Sequence, residues 1–191
     1  GIETFLKYGS LDKALKTILI ISGNDGEGKS TIASNLAITL AESGNKVLLV
    51  DTNLKNPQLS KIFKIKSTPS LAHYLFRKKE LDEIIRNSHK KDLKLITCIE
   101  FPQNPSVIIG SERMGNFLMK VRENFDYIIY DSTSLCSLKE TATIAKSMDE
   151  VLLVVRAGKS KISEFLQTKT ILAEFDVNNY NIVLNDIKKN K

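Results

Sequence analysis

Cysteine and histidine are scarce in this chain of 191 residues, with two of each. Cys98 and Cys136 lie far apart and form no Cys-x-x-Cys pair, which argues against a disulfide framework or a thiolate metal site. They read as reduced, buried thiols of a cytosolic domain. His73 and His89 have no partners at metal-ligand spacing and read as incidental. No apolar run exceeds strand length, so no segment is long enough to span a membrane. No leader is recognisable, and the chain opens on Gly1 instead of methionine, which suggests processing, a tag scar or excision from something longer. There is no repeat, low-complexity tract or linker. The expectation is one domain over 1–191, with a helical segment at 1–16 and a basic tail at 188–191. Its length suffices for a substantial core.

The composition, 42% hydrophobic and 26% charged, is that of an ordinary globular domain. The net charge of +6 sits partly in Arg77-Lys78-Lys79 and in Lys188-Lys189-Asn190-Lys191. A basic surface suits anionic lipid or acidic partners. The plainer reading is a lysine-rich solvated face. Aromatic residues do not interleave with the basic ones, so a nucleic-acid partner is not indicated.

The strongest signal is Gly23-Asn24-Asp25-Gly26-Glu27-Gly28-Lys29-Ser30-Thr31, which follows the apolar run Thr17–Ile21 and opens a helical pattern. Strand, glycine-rich loop and helix are the setting that G-x-x-x-x-G-K-S requires. The glycines let backbone N–H groups turn inward around phosphate oxygens, Lys29 reaches the outer phosphates and the Ser30 hydroxyl can ligate Mg²⁺. The helix carries Ile32, Leu36 and Leu40, with Ala33, Ala37 and Ala41 beside them, and Gly44 supplies its stop.

Strands are expected at Thr17–Ser22, Lys46–Asp51, Leu93–Cys98, Asp126–Asp131, Glu150–Ala157 and Tyr180–Ile187. Helices are expected at Ser70–Phe76, Lys79–Asn87, Glu112–Glu123, Lys139–Lys146 and Ser160–Phe175, with 101–111 an ordered loop. Continuous apolar strands alternating with helices predict an α/β, doubly wound, mostly parallel sheet flanked by helices. Asp51 and Asp131 each end a buried strand, on the sheet edge where such folds bind ligands. A lone strand-end Asp is most often a turn former or helix cap. Two beside a phosphate loop suggest metal binding and catalysis, with Asp131 ordering the metal and Asp51 as the candidate base.

These residues resemble the bacterial tyrosine kinases of capsule and exopolysaccharide assembly, within the deviant-Walker ATPases that also position septa and partition chromosomes. The loop Asp25–Thr31 is similar to that family's P-G-E-G-K-S-T. Asp51-Thr52-Asn53-Leu54-Lys55-Asn56-Pro57 is similar to its D-x-D-L-R-x-P, and Phe125–Asp131 to its F-D-Y-V-I-I-D. Asn104-Pro105-Ser106 through Met114 is similar to its N-P-x-E-L-L-x-S-x-x-M. The lysine that partitioning ATPases carry early in the loop is replaced by Asn24, which favours the kinase branch.

The resemblance implies an autophosphorylating ATP-dependent protein-tyrosine kinase that regulates polysaccharide synthesis and export. ATP and Mg²⁺ would be held by Gly26, Glu27, Gly28, Lys29, Ser30, Thr31, Asp51 and Asp131, and Asn185 would face the adenine or merely cap its strand. It further implies a membrane-anchored activator or co-polymerase (a separate chain or a missing upstream part), a possible homo-oligomer, and a place at the inner face of the plasma membrane.

Some positions depart from the family's pattern. Asn53 stands for its second acid, Lys55 for an arginine, Ser132-Thr133-Ser134 for T-P-P, and Glu140 for an aspartate. Leu6 and Gly9 replace the arginines of its E-x-x-R-x-x-R ring-assembly helix near Glu3, and the tyrosine-rich tail is missing. These departures keep two alternatives open: an ATP-binding switch that partners a membrane protein, and a partitioning-type ATPase.

Overall fold

The computed structural model describes residues 15–100 and 104–187. The expected ring-assembly segment near Glu3 and the basic tail lie outside them, and Leu15 and Lys16 are not helical. Seven strands form one sheet in the order β3-β4-β2-β5-β1-β6-β7. They are β1 Thr17–Ser22, β2 Val47–Thr52, β3 Arg86–Asn87, β4 Leu93–Ile96, β5 Tyr127–Ser132, β6 Glu150–Arg156 and β7 Asn181–Asn185. All neighbours are parallel except β3 and β4. The doubly wound α/β expectation therefore holds.

Burial explains the continuous apolar strands. Every residue of β1 and β2 is buried, because helices cover both faces of the sheet. On one face Ile18, Ile20, Val47, Leu49 and Ile129 pack against Ala33, Leu36, Ala37 and Leu40 of the helix Lys29–Glu42. On the other, Leu19, Ile21, Leu48, Val50, Ile128 and Tyr130 meet Phe117, Leu118, Ile144, Ile171 and Leu172. The helix Lys29–Glu42 ends at Gly44, whose φ of 87° is the left-handed conformation a C-terminal stop requires. The amide of Gly44 donates to the Ala41 carbonyl and that of Asn45 to the Leu40 carbonyl.

Four local expectations are corrected. The stretch 101–111 is not all loop, because Pro105–Ile109 is helical, with Asn104 in the left-handed region and proline at its first turn. The helix expected at Lys79–Asn87 shrinks to Leu81–Ile84, since Arg86 and Asn87 pair antiparallel with β4. Lys139–Lys146 splits into a 3-10 turn at Lys139–Thr141 and the short helix Ala142–Ala145. Cys98 is buried as expected, but Cys136 is exposed, in the loop that follows β5.

At the end of the sheet opposite the phosphate loop, Asp149 fastens the start of β1. Its Oδ2 accepts from the amides of Lys16 and Thr17, from the Thr17 hydroxyl and from Arg122.

Candidate functional site

Strand order decides where the site forms. β1 lies between β5 and β6; the connection that leaves it runs to β2 on one side, whereas the connection from β5 crosses to β6 on the other, and a crevice opens above its carboxyl end. The loop Gly23–Gly28 fills that crevice. Gly26 and Gly28 have φ of 77° and 101°, a turn that ordinary residues adopt only under strain. Gly28 is also sterically fixed, since a Cβ there would stand 2.2 Å from Asn185 Nδ2. A cavity of about 600 Å³ lies over the loop, lined among others by Gly26, Gly28, Lys29, Ser30, Thr31, Asn53, Gln58, Arg156 and Asn185.

Lys29 is buried, and its Nζ donates to Ser22 Oγ at 2.9 Å and lies 3.9 Å from Asp25 Oδ1. Burial lowers its pKa, and Asp131, Asp25 and Glu27 oppose that shift by their charge.

β2 and β5 pair with Asp51 directly opposite Asp131, so the two carboxylates share the face covered by the helix Lys29–Glu42. Both are fully buried. Burial raises the Asp131 pKa from 3.8 to about 6, with Ser30 and Lys29 pulling the other way. Burial and the neighbouring Asp131 raise Asp51 to about 8. Their surroundings differ sharply. Asp51 Oδ1 accepts from the Asn53 amide, and its Oδ2 from the amides of Gln58 and Leu59. It therefore organises the turn 53–59 and caps the short helix Leu59–Ile62; neither it nor Asp131 is among the residues lining the cavity. Neither oxygen of Asp131 meets hydrogen-bond geometry with a partner among the described residues, and the groups that favour its charged form are the Ser30 hydroxyl and the Lys29 ammonium.

A fully buried, unpartnered carboxylate beside a serine hydroxyl is an oxygen-donor set of the kind a hard cation takes. The residues present thus fit Mg²⁺, held by Ser30 and Asp131. Mg²⁺ commonly keeps several waters and takes substrate phosphate oxygens beside one or two protein ligands.

Other expected residues fall in distinct places. Gly26, Gly28, Lys29, Ser30, Thr31 and Asn185 converge on the cavity. The Glu27 side chain does not line it. It is buried, accepting from the Asn24 amide at 2.9 Å and from the Ser160 hydroxyl, so it braces the loop from outside. Asn185 Nδ2 donates to the Glu27 carbonyl at 3.0 Å. Asn53 Oδ1 is occupied by the Asn56 amide and the Thr133 hydroxyl. Two of the departures from the family pattern, Asn53 and Thr133, therefore contact each other. Lys55 donates to the Ser137 carbonyl, and Ser137 Oγ to Asp25 Oδ2. This bridge borders a second hollow of about 620 Å³ that Glu140 also lines.

Sequence reasoning passed over Arg156 and Asp186, both of which line the cavity. Their strands were legible, but nothing in the local pattern tied either side chain to the loop.

Residues 15–187 match the family described as an AAA domain. The tyrosine-protein kinase YwqD of Bacillus subtilis is 30% identical over 172 residues, covering 90% of this chain and 73% of its own length. CpsD of Streptococcus agalactiae, also a tyrosine-protein kinase, is 30% identical over 99% of this chain and 81% of its own. The chain belongs to the bacterial tyrosine-protein kinase family. The kinase domain of Escherichia coli tyrosine kinase ETK superposes with a TM-score of 0.92 at 26% identity, over 99% of this chain and 74% of that one. The complete Etk chain is much longer, and this chain spans 26% of it. The septum site-determining protein MinD of Pyrococcus horikoshii, solved with Mg-ADP, has a TM-score of 0.70 at 22% identity over 87% of this chain and 67% of its own, a likeness of fold. Among the described residues no helix is long and apolar enough to cross a membrane.

Proposed function

We propose that this member of the family is an ATP-dependent protein-tyrosine kinase that regulates capsular or exopolysaccharide synthesis, working beside a membrane-anchored activator at the inner face of the membrane. The observation that carries it is the unpartnered, buried Asp131 set between Ser30 and Lys29 above a preformed phosphate loop. Inward N–H groups of Gly26–Thr31 bind the phosphates and Lys29 neutralises charge on the outer ones. Ser30 and Asp131 would hold Mg²⁺, which would supply the further positive charge that phosphoryl transfer requires.

Asp51 has the raised pKa of a base working near neutrality, but three backbone amides hold its carboxylate. In the base role it would have to release Gln58 and Leu59, which opens the turn 53–59. The loose transition state of phosphoryl transfer lets the tyrosine proton leave late, so the base need not be poised on the phenol beforehand.

Mass spectrometry for phosphotyrosine after incubation with Mg-ATP, with and without a candidate activator segment, tests the proposal. Phosphotyrosine that disappears in both Lys29→Met and Asp51→Asn is expected. Full transfer by Lys29→Met would refute the mechanism.

One observation favours a second possibility, a nucleotide switch. Asn53 Oδ1 is taken by Asn56 and Thr133, and the amide brings no negative charge to the cation. A switch binds Mg-ATP and yields no phosphotyrosine even with activator and a tyrosine substrate.

A further inference from the structure

The cavity has two ends. Asn53, just after β2, lines it on one side of the phosphate loop, the side on which Asp131 closes β5, and Arg156, Asn185 and Asp186 line it at the ends of β6 and β7 on the other. The loop itself lies above β1. A nucleotide with its terminal phosphate toward Asp131 therefore lays its sugar and base over β6 and β7. Neighbouring strands are about 4.8 Å apart, so β7 stands about 10 Å from the loop, within the span of a nucleoside.

At that end Asp186 offers a carboxylate. Its backbone is left-handed, with φ 59°, and its side chain is 57% exposed. A carboxylate only accepts hydrogen bonds. The Watson–Crick edge of guanine presents two adjacent donors, N1–H and N2–H₂, whereas the same edge of adenine presents the N6–H₂ donor beside the N1 acceptor, so a two-oxygen carboxylate matches both guanine positions and only one of adenine's. A bare Asp186 would thus favour guanine over adenine. It is not bare. Arg156 Nε and Nη2 both donate to Asp186 Oδ2, at 3.0 and 2.9 Å, and Nη1 donates to the Gly26 carbonyl at 3.1 Å. The guanidinium is thereby fixed between the base end and the phosphate loop. Asn185, its Nδ2 spent on Glu27, keeps Oδ1 as an acceptor for an exocyclic amine such as adenine N6–H₂.

We propose that Arg156 is a base-specificity residue: by taking Asp186 Oδ2 it breaks the two-oxygen fork that guanine's paired donors need and leaves the base end to Asn185. This rests on the nucleoside triphosphate assignment of the cavity made above.

The test is calorimetric binding of Mg-ATP and Mg-GTP to the full chain at fixed salt. The wild type is expected to favour ATP by about fivefold or more, the lower end of the discrimination a base-edge contact carries. Arg156→Met also loses the Gly26 contact and weakens both nucleotides, which cancels in the ratio of the two affinities. That ratio should fall about fivefold or more toward GTP, and adding Asp186→Asn should restore it. Asp186→Asn alone should leave the ratio within about twofold, because Arg156 already occupies the carboxylate, and this arm stands even if Arg156→Met fails to fold. An unchanged ratio in Arg156→Met, no reversal in the double variant, or a large change in Asp186→Asn overturns the proposal while ATP binding stands. A wild type that binds neither nucleotide overturns the cavity assignment and the proposal together.

Discussion

Replacing Asp131 by Asn should make the nucleotide-free protein more stable, and increasingly so as pH rises. Asp131 is fully buried, pairs in register with Asp51 and has no hydrogen-bond partner for either oxygen. Its pKa is raised from 3.8 to about 6. A carboxyl group that holds its proton more tightly when folded contributes stability that is complete below its unfolded pKa. That contribution is lost as pH rises through the folded value. The shift of about two units corresponds to about 3 kcal/mol, present near pH 4 and gone by about pH 8.

Asn cannot ionise, so the variant escapes the loss. It also removes the charge that helps hold the Asp51 pKa near 8. The expected difference is near zero at about pH 4 and approaches about 3 kcal/mol at about pH 8, or several degrees in melting temperature for a domain of this size. Urea denaturation across that range, with EDTA and no nucleotide, measures it. Adding Mg-ATP should reverse the ranking once it reaches about a thousand times the wild-type Kd, because the wild type then gains about 4.1 kcal/mol, more than the difference of about 3 kcal/mol, and the variant gains little. An Asn variant less stable than wild type at pH 8 without ligand, or one with the same pH slope, would refute the argument.

Two further outcomes are expected. Asn53→Asp adds a third acid beside Asp51 and Asp131, so it should lower the stability of the nucleotide-free protein by about 1–3 kcal/mol while tightening Mg²⁺-dependent nucleotide binding, read by denaturation and by titration of Mg²⁺ at fixed ATP. Asp149→Ala leaves the amides of Lys16 and Thr17 and the Arg122 guanidinium without their acceptor, and should cost about 2–3 kcal/mol in urea denaturation with little change in nucleotide Kd, since it lies at the opposite end of the sheet.

The sheet was largely legible because its strands are buried on both faces. β1 was expected at its observed bounds, and the strands ending in Asp51 and Asp131 each shifted by one residue. Short elements were not legible. Arg86–Asn87 has two residues and no periodicity, and its pairing with β4 is a tertiary choice. The helix Leu59–Ile62 has one turn and exists because Asp51, eight residues before Leu59, accepts at its amino end.

The site divided along the same line. Lys29, Ser30 and Gly28 are local to one motif and were found. The difference between Asp51, which is saturated by amides, and Asp131, which is free, depends on how the chain returns after each strand. The bracing role of Glu27 depends on Ser160, far away in the sequence. Arg156 and Asp186 face each other across β6 and β7, and neither carries a pattern that names the other.

The loop Gly23–Gly28 is tied from outside by Ser160, Arg156, Lys159 and Asn185. A loop so held has little conformational freedom left to surrender when a nucleotide arrives. Association should then proceed without an ordering step, and the entropy normally spent on shaping such a loop stays available as affinity. Replacing Ser160 or Lys159, neither of which lines the cavity, would remove no contact with the nucleotide, yet the variant would bind it more weakly and with a more unfavourable entropy, because the loop would have to be frozen anew at each encounter.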